Sequence, residues 1–595
     1  MSKIQIRLTL IIILLLVCNF LNAQIQVVSS VWDALTNEPL PYCNITIKDK
    51  NEGAITNADG KFILNIKSLS DSIVISYLGY AKRVMAIKDV MEDAKIYLQP
   101  KGIELFAITI TAESDFFYDI ISKCRKNLQK SKSKHKAKVY YGLNTTRDGV
   151  PVEVLECYFN GDIKGITMDN FLLKNGKVGL KSKDSLVFLS YNLSQLVSII
   201  NLTDFRGYYP QLPFHLNRNQ LKQRYLLNGM AVDNYYKISF TPQIINNKYF
   251  SGTAWIEKGT NNLLKLELSI EKAAVHPLIP REQISNLSLC LTYYFAAKEK
   301  DILLSHVDFK YSLDFEYFIQ ETTEDSLDVK YPTCSTSVNT TGLVYCYDYD
   351  NPFILPYFDY YKNMDDYQKL AVFPYNHLFW ANSKLLLSEE QTSMLRSMNR
   401  DDLIFNADSV TYGRHFMRNL TQNEDYLFIG RSKHFFWHPN ESVEVEEIKL
   451  SEDTLAFYIH FAPKALYKFR SQIFLDINTI NDINYCTSYS VFNLYESYLR
   501  VPNDTLTRVF TKIYFDIVEI ERRKMQEKLD ANTYTIKQIE EIYYSTLNKI
   551  DETVNSYFGD VVLWTNIDKL KKWNQYVYEN LGIDNLLEFR KNRRM

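Results

Sequence analysis

Residues 57–66 read Asn57-Ala58-Asp59-Gly60-Lys61-Phe62-Ile63-Leu64-Asn65-Ile66. The first four form a tight-turn signal, because Asn and Gly accept backbone angles that other residues resist. The rest place Phe62, Leu64 and Ile66 at every second position, the period of a half-buried strand. The flanks repeat this unit. Ile25-Gln26-Val27-Val28 opens a strand, and Thr36-Asn37-Glu38-Pro39-Leu40-Pro41 is a turn. Asn44-Ile45-Thr46-Ile47-Lys48 alternates, Gly53 marks a turn, and Ile73 to Tyr77 follows. Strands near Val84 to Ile87 and at Lys95 to Leu98 close the unit. About seven short strands between turns are the pattern of a small β-sandwich.

Three of these stretches carry a family resemblance: Glu38-Pro39-Leu40-Pro41, the run Gly53…Thr56…Asp59-Gly60…Phe62, and Ile75-Ser76-Tyr77-Leu78-Gly79-Tyr80. Together they resemble the carboxypeptidase-regulatory-like domain over residues 24 to about 100. The resemblance implies a prealbumin-like, seven-stranded β-sandwich of the kind found at the N-terminus of Gram-negative secreted or outer-membrane proteins. It implies no peptidase activity, since the family name refers to an accessory domain without the catalytic metal site. Asp59 reads as a turn former rather than a ligand.

The whole chain has 595 residues, 46% hydrophobic and 23% charged. That is globular composition, enough for about three or four domains, and it excludes a disordered, collagen-like or polytopic membrane protein. The formal charge of −2 argues against nucleic acid as the main partner. With 43 Tyr and only 19 Gly the composition suits broad, half-wet β-sheets. Lys3 and Arg7 precede the apolar run Leu8 to Phe20, and Leu21-Asn22-Ala23 supplies a small residue. This is the layout of a signal peptide cut after Ala23, too short to span a bilayer. Its removal, with Lys3 and Arg7, takes the charge from −2 to −4. No later stretch is apolar enough to cross as a helix. Seven widely spaced cysteines remain, which is no disulfide scaffold. Cys334 and Cys346 are the nearest pair and the bridge candidate.

Beyond a linker strand at Ile103 to Thr111, Ser114 caps a helix running to about Leu128. Phe117, Ile120, Ile121, Cys124 and Leu128 share one of its faces. Lys130, Lys132, Lys134, His135, Lys136 and Lys138 then form the one basic cluster, either a solvated helix end or a contact for anionic lipid or polysaccharide. From Val139 the pattern is strand-like. Tyr235 to Phe240, Tyr249 to Ile256, Leu263 to Ile270, Leu287 to Phe295 and Ile302 to Phe315 are strands, and Lys258 to Asn262 is a hairpin turn. The order of strand, Gly, strand, Asn-rich turn and strand resembles the large antiparallel sheet of periplasmic lipoprotein-carrier folds. Residues 331–440 interleave Tyr and Phe with Asp, which suits either sugar stacking or a core edge with wet hydroxyls. A short helix from about Glu389 to Met398 is capped by Ser388.

The nearest approach to a metal site is His438-Pro439-Asn440-Glu441, with His434 before it and His460 after it. Zinc catalysis needs three protein ligands and a carboxylate base. Pro439 opposes a continuous helix, so His434 and His438 lack the spacing of a helical ligand pair. Further on, Leu455 to Phe461, Gln472 to Ile477 and Tyr489 to Leu494 read as strands. Helices follow at about Leu506 to Leu529, Ile536 to Tyr557 and Ile567 to Leu581, the last stopped by Gly582. Tyr514-Phe515-Asp516-Ile517, Glu519 and Arg522-Arg523-Lys524 resemble a helix of a secreted zinc-dependent protease family. That family's His-Glu-x-x-His stands where this chain reads Phe510-Thr511-Lys512-Ile513-Tyr514, so the resemblance implies a pseudo-enzyme domain kept for shape or binding; the other reading is an unrelated helical bundle packing on a sheet.

The expected fold is mainly β: an N-terminal sandwich, a large antiparallel sheet in the middle, and an α+β C-terminal part ending in helices. Boundaries fall at 1–23 (signal peptide), 24–100, 101–330, 331–440 and 441–595. No catalytic, cofactor or metal residue is assigned. The expected function is an exported, non-catalytic binding or scaffolding protein of the cell envelope, periplasmic or outer-membrane-associated, whose partner is an envelope protein or polysaccharide. The alternative is a metal-dependent hydrolase using His434, His438, Glu441 and His460, or a glycan-binding protein using the aromatic stretch.

Overall fold

The structure is a computed structural model that describes residues 25–101 (except 51–52 and 67), 115–130, 134–181 (except 165–166), 190–194, 200–276, 283–298, 301–318, 333–397 (except 363, 373 and 384–385), 403–405 and 433–587 (except 455–457, 459–461, 481 and 563–565). The leader, the linker strand and most of the expected Leu455 to Phe461 strand lie outside them. The chain forms two compact units. One holds residues 1–171, 179–352 and 383–403, the other 172–178, 353–382 and 404–595.

The first unit opens with the expected sandwich. Its seven strands are β1 (Ile25–Asp33), β2 (Asn44–Ile47), β3 (Gly53–Ile55), β4 (Lys61–Ile66), β5 (Ser72–Ser76), β6 (Arg83–Ala86) and β7 (Ile96–Leu98). They form sheets ordered β4-β1-β7 and β3-β2-β5-β6. The alternation in β4 is literal: Phe62, Leu64 and Ile66 are buried with Val27, Val31, Ile45, Ile47, Ile73 and Ile75. After β6 the chain turns into a helix, α1 (Ile87–Glu92), because Ile87 and Val90 bury together one turn apart. The tight turn is made by Asn57, whose Oδ1 accepts from Asp59 N at 3.0 Å and Lys61 N at 2.9 Å. Asp59 instead accepts from Glu389 N at 2.6 Å, at the start of α4 (Glu389–Ser397). Asn57 Nδ2 donates to Leu387 O, and Lys61 pairs with Glu389. Ser388 and Gln391 close the expected cap on α4.

The long sheet has eleven strands, of which residues 172–178 of β10 and 404–405 of β18 belong to the second unit and the rest to this one. Its strands are β8 (Lys134–Arg147), β9 (Val150–Lys164), β10 (Thr167–Leu180), β11 (Tyr225–Val232), β12 (Tyr235–Pro242), β13 (Ser251–Glu257), β14 (Leu263–Ile270), β15 (Ile284–Lys298), β16 (Asp301–Phe318), β17 (Thr333–Tyr347) and β18 (Leu403–Phe405). The order is β11-β12-β13-β14-β15-β16-β17-β8-β9-β10-β18, so β17 returns beside β8. The hairpin at Lys258 to Asn262 stands where expected, between β13 and β14.

Register gives the two faces different chemistry. One cross-strand row runs Gly229, Ile238, Ala254, Leu266, Tyr293, Val307, Val344, Tyr141, Cys157. It is the apolar face. Helix α2 (Phe116–Lys130) lies on its β11 end, with Phe117, Ile120, Ile121, Cys124 and Leu128 buried as the spacing predicts, and helix α3 (Arg218–Arg224) leads directly into β11. Gly229 is required there, since a Cβ would stand 2.9 Å from the Phe117 ring. The adjacent row, on the opposite face, runs Lys237, Trp255, Lys265, Tyr294, His306, Tyr345, Tyr140, Tyr158. Lysines and aromatic rings alternate, then rings meet rings. Lys265 Nζ sits 4.7 Å from the Trp255 centroid and 5.0 Å from that of Tyr294, and Tyr294 stacks on His306 at 4.1 Å.

Cys334 and Cys346 do not form the expected bridge. Both lie on β17, and twelve intervening steps of extended chain at ~3.4 Å each hold them ~40 Å apart. The described cysteines are all free thiols, and Cys346 packs on Met168 with the sulfurs 3.8 Å apart.

The second unit holds a three-stranded sheet ordered β19-β22-β21 (His434–Phe436, Ile483–Asn493, Ser471–Ile480), with the two-residue strands β20 (Tyr467–Lys468) and β23 (Tyr498–Leu499) paired. Three helices follow: α5 (Thr505–Ala531), α6 (Ile536–Val561) and α7 (Ile567–Leu581). They stand where the sequence periodicity puts them, with caps from Asp504, Thr535 and Gly582. Within this unit Lys174 and Asp476 form a buried ion pair, their side chains 1% and 5% exposed. Lys174 Nζ also donates to Ile354 O at 2.8 Å and Ile477 O at 3.0 Å. Asp476 Oδ2 accepts from Asn376 at 2.7 Å and Asn478 at 3.0 Å. Every proton of the ammonium has an acceptor. Replacing Lys174 by Met strands the carboxylate and is expected to lower stability by about 3–5 kcal/mol, whereas Lys174→Met with Asp476→Leu recovers most of it. Urea unfolding of both variants checks this, and a neutral single variant would contradict it.

Candidate functional site

At one end of β8 and β9 the first unit has a cleft of about 470 Å³, lined by residues that include Lys134, His135, Lys136, Asp162, Lys164, Asp169, Asn170 and Asp350. It contains the core of the basic cluster singled out in the sequence. Lys130 does end α2 and Lys132 lies outside the described residues, but Lys134 to Lys138 enter β8, whose partner β9 fixes their geometry. Lys134 stands opposite Lys164, and Lys136 opposite Asp162. Residues directly opposite share a face, so these four lie on the side of the sheet that carries Tyr140. His135, one position out of phase, reaches Asp350, with Nδ1 at 3.1 Å from both carboxylate oxygens. Asp350 is held in turn by a backbone bond from its N to Lys136 O. Lys138 pairs with Asp348 at 3.0 Å. Asn170 Nδ2 donates to Asp162 Oδ2 at 3.0 Å. Lys134, Lys136 and Lys164 form no ion pair among the described residues.

A second polar centre is structural. Glu153 is fully buried, and its Oε2 accepts from Thr145 Oγ1 at 3.0 Å, Ser190 N at 3.0 Å and Ser190 Oγ at 2.5 Å. These bonds hold the Ser190 segment on the sheet.

The sequence-level metal candidates do not gather among the described residues. His434 sits in β19, buried against the rings of Phe358 at 5.1 Å and Tyr495 at 5.2 Å, where burial pulls its pKa down to about 4. His438 lies four residues on, in a turn, with Nδ1 3.7 Å from Glu441 Oε1. His460 lies outside the described residues. Among the described residues no three His, Cys, Asp or Glu side chains are grouped to hold a metal. The Phe510 to Tyr514 segment fills the core of the second unit: Phe510 and Ile513 are fully buried, and Phe510 packs on Tyr467 and Tyr557. Of the aromatic stretch, Tyr345 and Tyr347 are buried and stacked at 5.1 Å. They are core rather than platform.

The sandwich meets the aromatic face of the sheet at Tyr42, 5.6 Å from the His306 ring, and at Tyr77, which hydrogen-bonds Tyr294. Burial here pulls His306 down to about 3 and pushes Asp308 up to about 6, against the pull of Lys265.

A family model described as a CarboxypepD_reg-like domain matches residues 30–110. No curated protein matches the chain. A domain described as an outer membrane lipoprotein-sorting protein from Vibrio parahaemolyticus is 9% identical, covers 42% of this chain and 96% of its own, and has a TM-score of 0.19. The MucA/MucB complex of Pseudomonas aeruginosa gives 9% identity, 38% and 92% coverage, and a TM-score of 0.13. A membrane-associated protein of Bacteroides fragilis gives 8%, 55% and 97%, with a TM-score of 0.09. At these TM-scores none of the three defines the fold of this chain.

Asp308 yields a pH prediction. Its folded pKa lies above the unfolded 3.8, so the folded state holds the proton more tightly. Stability from this group is greatest below pH 3.8 and falls as pH rises to about 6. His306 has the opposite sign, losing stability as pH falls from 6.5 toward 3. Asp308→Asn is therefore expected to stabilise the protein at pH 7.5, by up to about 3 kcal/mol, and to be neutral near pH 3.5. Thermal melts of both proteins at the two pH values check it. A pH-independent difference would refute the assignment.

Proposed function

We propose that the protein is an exported component of the cell envelope that binds or scaffolds without turning over a substrate, delivered by the leader that ends at Ala23. The observation that carries this reading is the cleft on β8 and β9. Its groups are ammonium and carboxylate side chains set by strand register and open to solvent, the chemistry of recognition. A hydrolase instead requires an activated nucleophile or a metal-bound water. The CarboxypepD_reg-like match at residues 30–110 supports the reading, because the resemblance implies an accessory domain. Accessory service to outer-membrane machinery fits the same picture.

The competing reading is a metal-dependent hydrolase, favoured by the 3.7 Å approach of His438 and Glu441. Metal analysis of the purified mature chain separates the two. The expected result is no stoichiometric zinc and no hydrolysis of peptides or glycans. Stoichiometric zinc that disappears in His438→Ala, together with turnover, would establish the hydrolase. N-terminal sequencing of the envelope fraction is expected to begin at Gln24, and an intact precursor confined to the cytosol would overturn the proposed export.

A further inference from the structure

We propose that the β8–β9 cleft binds a phosphorylated sugar, with Lys134, Lys136 and Lys164 taking the phosphate and Asp162, Asp169 and Asn170 taking the hydroxyls. This rests on the binding reading above and names its ligand class.

Start with the register. Lys134 and Lys164 are directly opposed across the β8–β9 ladder. Side chains so placed have Cβ atoms about 4.5–5.5 Å apart, and like charges there repel. Lys136 lies two residues from Lys134 on the same face. Its own cross-strand partner, Asp162, is engaged by the Asn170 amide instead. Elsewhere on this face Lys265 lies between Trp255 and Tyr294 and Lys138 pairs with Asp348, while the exposed Lys310 stands opposite Cys290 and Thr341 with no second lysine facing it. Three ammoniums at one strand end, two of them facing each other, are offset best by a multiply charged anion with several acceptor oxygens.

A bare anion does not account for the rest of the lining. Asp162, Asp169 and Asp350 also border the cleft, and Asp350 is joined to His135. Carboxylates beside an anion site repel a second anion but accept from hydroxyl groups. The lining therefore fits a molecule with a phosphate at one end and hydroxyl donors at the other. The volume of about 470 Å³ is the size of a small-molecule site. A membrane surface fits less well. It would set anionic headgroups against three carboxylates, and of the two apolar residues of the lining Ile163 is buried, leaving only Pro352 exposed.

The test is calorimetric titration of the full mature chain with glucose 1-phosphate, with inorganic phosphate, with glucose, and with vesicles of phosphatidylglycerol in phosphatidylcholine. Glucose 1-phosphate is expected to bind more tightly than phosphate or glucose, and its affinity is expected to fall as salt rises from 0.05 to 0.5 M, roughly the range over which the Debye length shrinks severalfold. Lys134→Gln with Lys164→Gln is expected to weaken it about tenfold per ammonium removed. The control Lys123→Gln, on α2, is expected to leave binding unchanged. Removing the opposed ammoniums should also raise the Tm of the ligand-free protein, a readout that shows the variant folded. Equal affinity for glucose 1-phosphate and phosphate would overturn the sugar assignment, as would binding that persists in the double variant. Vesicle binding lost in the double variant, without binding of the sugar phosphate, would replace the sugar with a membrane while leaving the envelope-binding reading intact. Hydrolysis of the sugar phosphate would instead overturn that reading.

Discussion

The constraint on which the first unit depends is the register of its long antiparallel sheet. Because side chains alternate, one backbone pairing scheme sorts the residues of nine strands into an apolar row from Gly229 to Cys157 and an aromatic row that includes Lys237 and Tyr158. A slip of one residue at any ladder would send Tyr293 to the ring-stacked face and Tyr294 to the face where α2 lies. The two faces take different cover for that reason. The apolar row receives the Phe117–Leu128 stripe of a helix. The aromatic row receives Tyr42 and Tyr77 of the sandwich, rings whose hydroxyls and edges tolerate neighbours such as His306 and Asp308.

Much of this was legible in the sequence because it is local. Period-two runs mark β4, β12 and β14. Ser388 marks the start of α4, and Gly582 marks the end of α7. What could not be read was pairing. Nothing in residues 134–164 says that Lys134 will oppose Lys164, and nothing in residues 333–347 says that β17 will lie against β8. The basic cluster was therefore visible as composition but not as a cleft. Cys334 and Cys346 looked close because sequence distance was all there was to judge by. An extended strand turns twelve residues into the longest separation a chain of that length can have. The reading of Asp59 as a turn former missed its role for the same reason: its acceptor oxygen serves Glu389, 330 residues away.

Two buried charged centres are treated alike. Lys174 and Asp476, and Glu153 with Thr145 and Ser190, are shielded from water, and each has its hydrogen-bonding capacity met by fixed neighbours. Such groups cost too much desolvation to be left partly bonded, and once bonded they are locked in place. They hold segments together and have little freedom left to engage a ligand.

The cleft departs from this economy. Two of its carboxylates are engaged, Asp350 by His135 and Asp162 by Asn170, while the ammoniums of Lys134, Lys136 and Lys164 are left to solvent on a rigid frame. A solvated lysine normally gains little from any single partner, because water screens it and its stem is flexible. Two lysines pinned opposite each other by a ladder differ, since the strands supply the repulsion whether or not a partner is present. That local conflict between charge and fold costs little at a strand end, where the chain is wet, and far more at the centre, where Tyr140 and Tyr158 stand. Its position at the rim is what lets the sheet tolerate it, and it is also what makes those charges reachable.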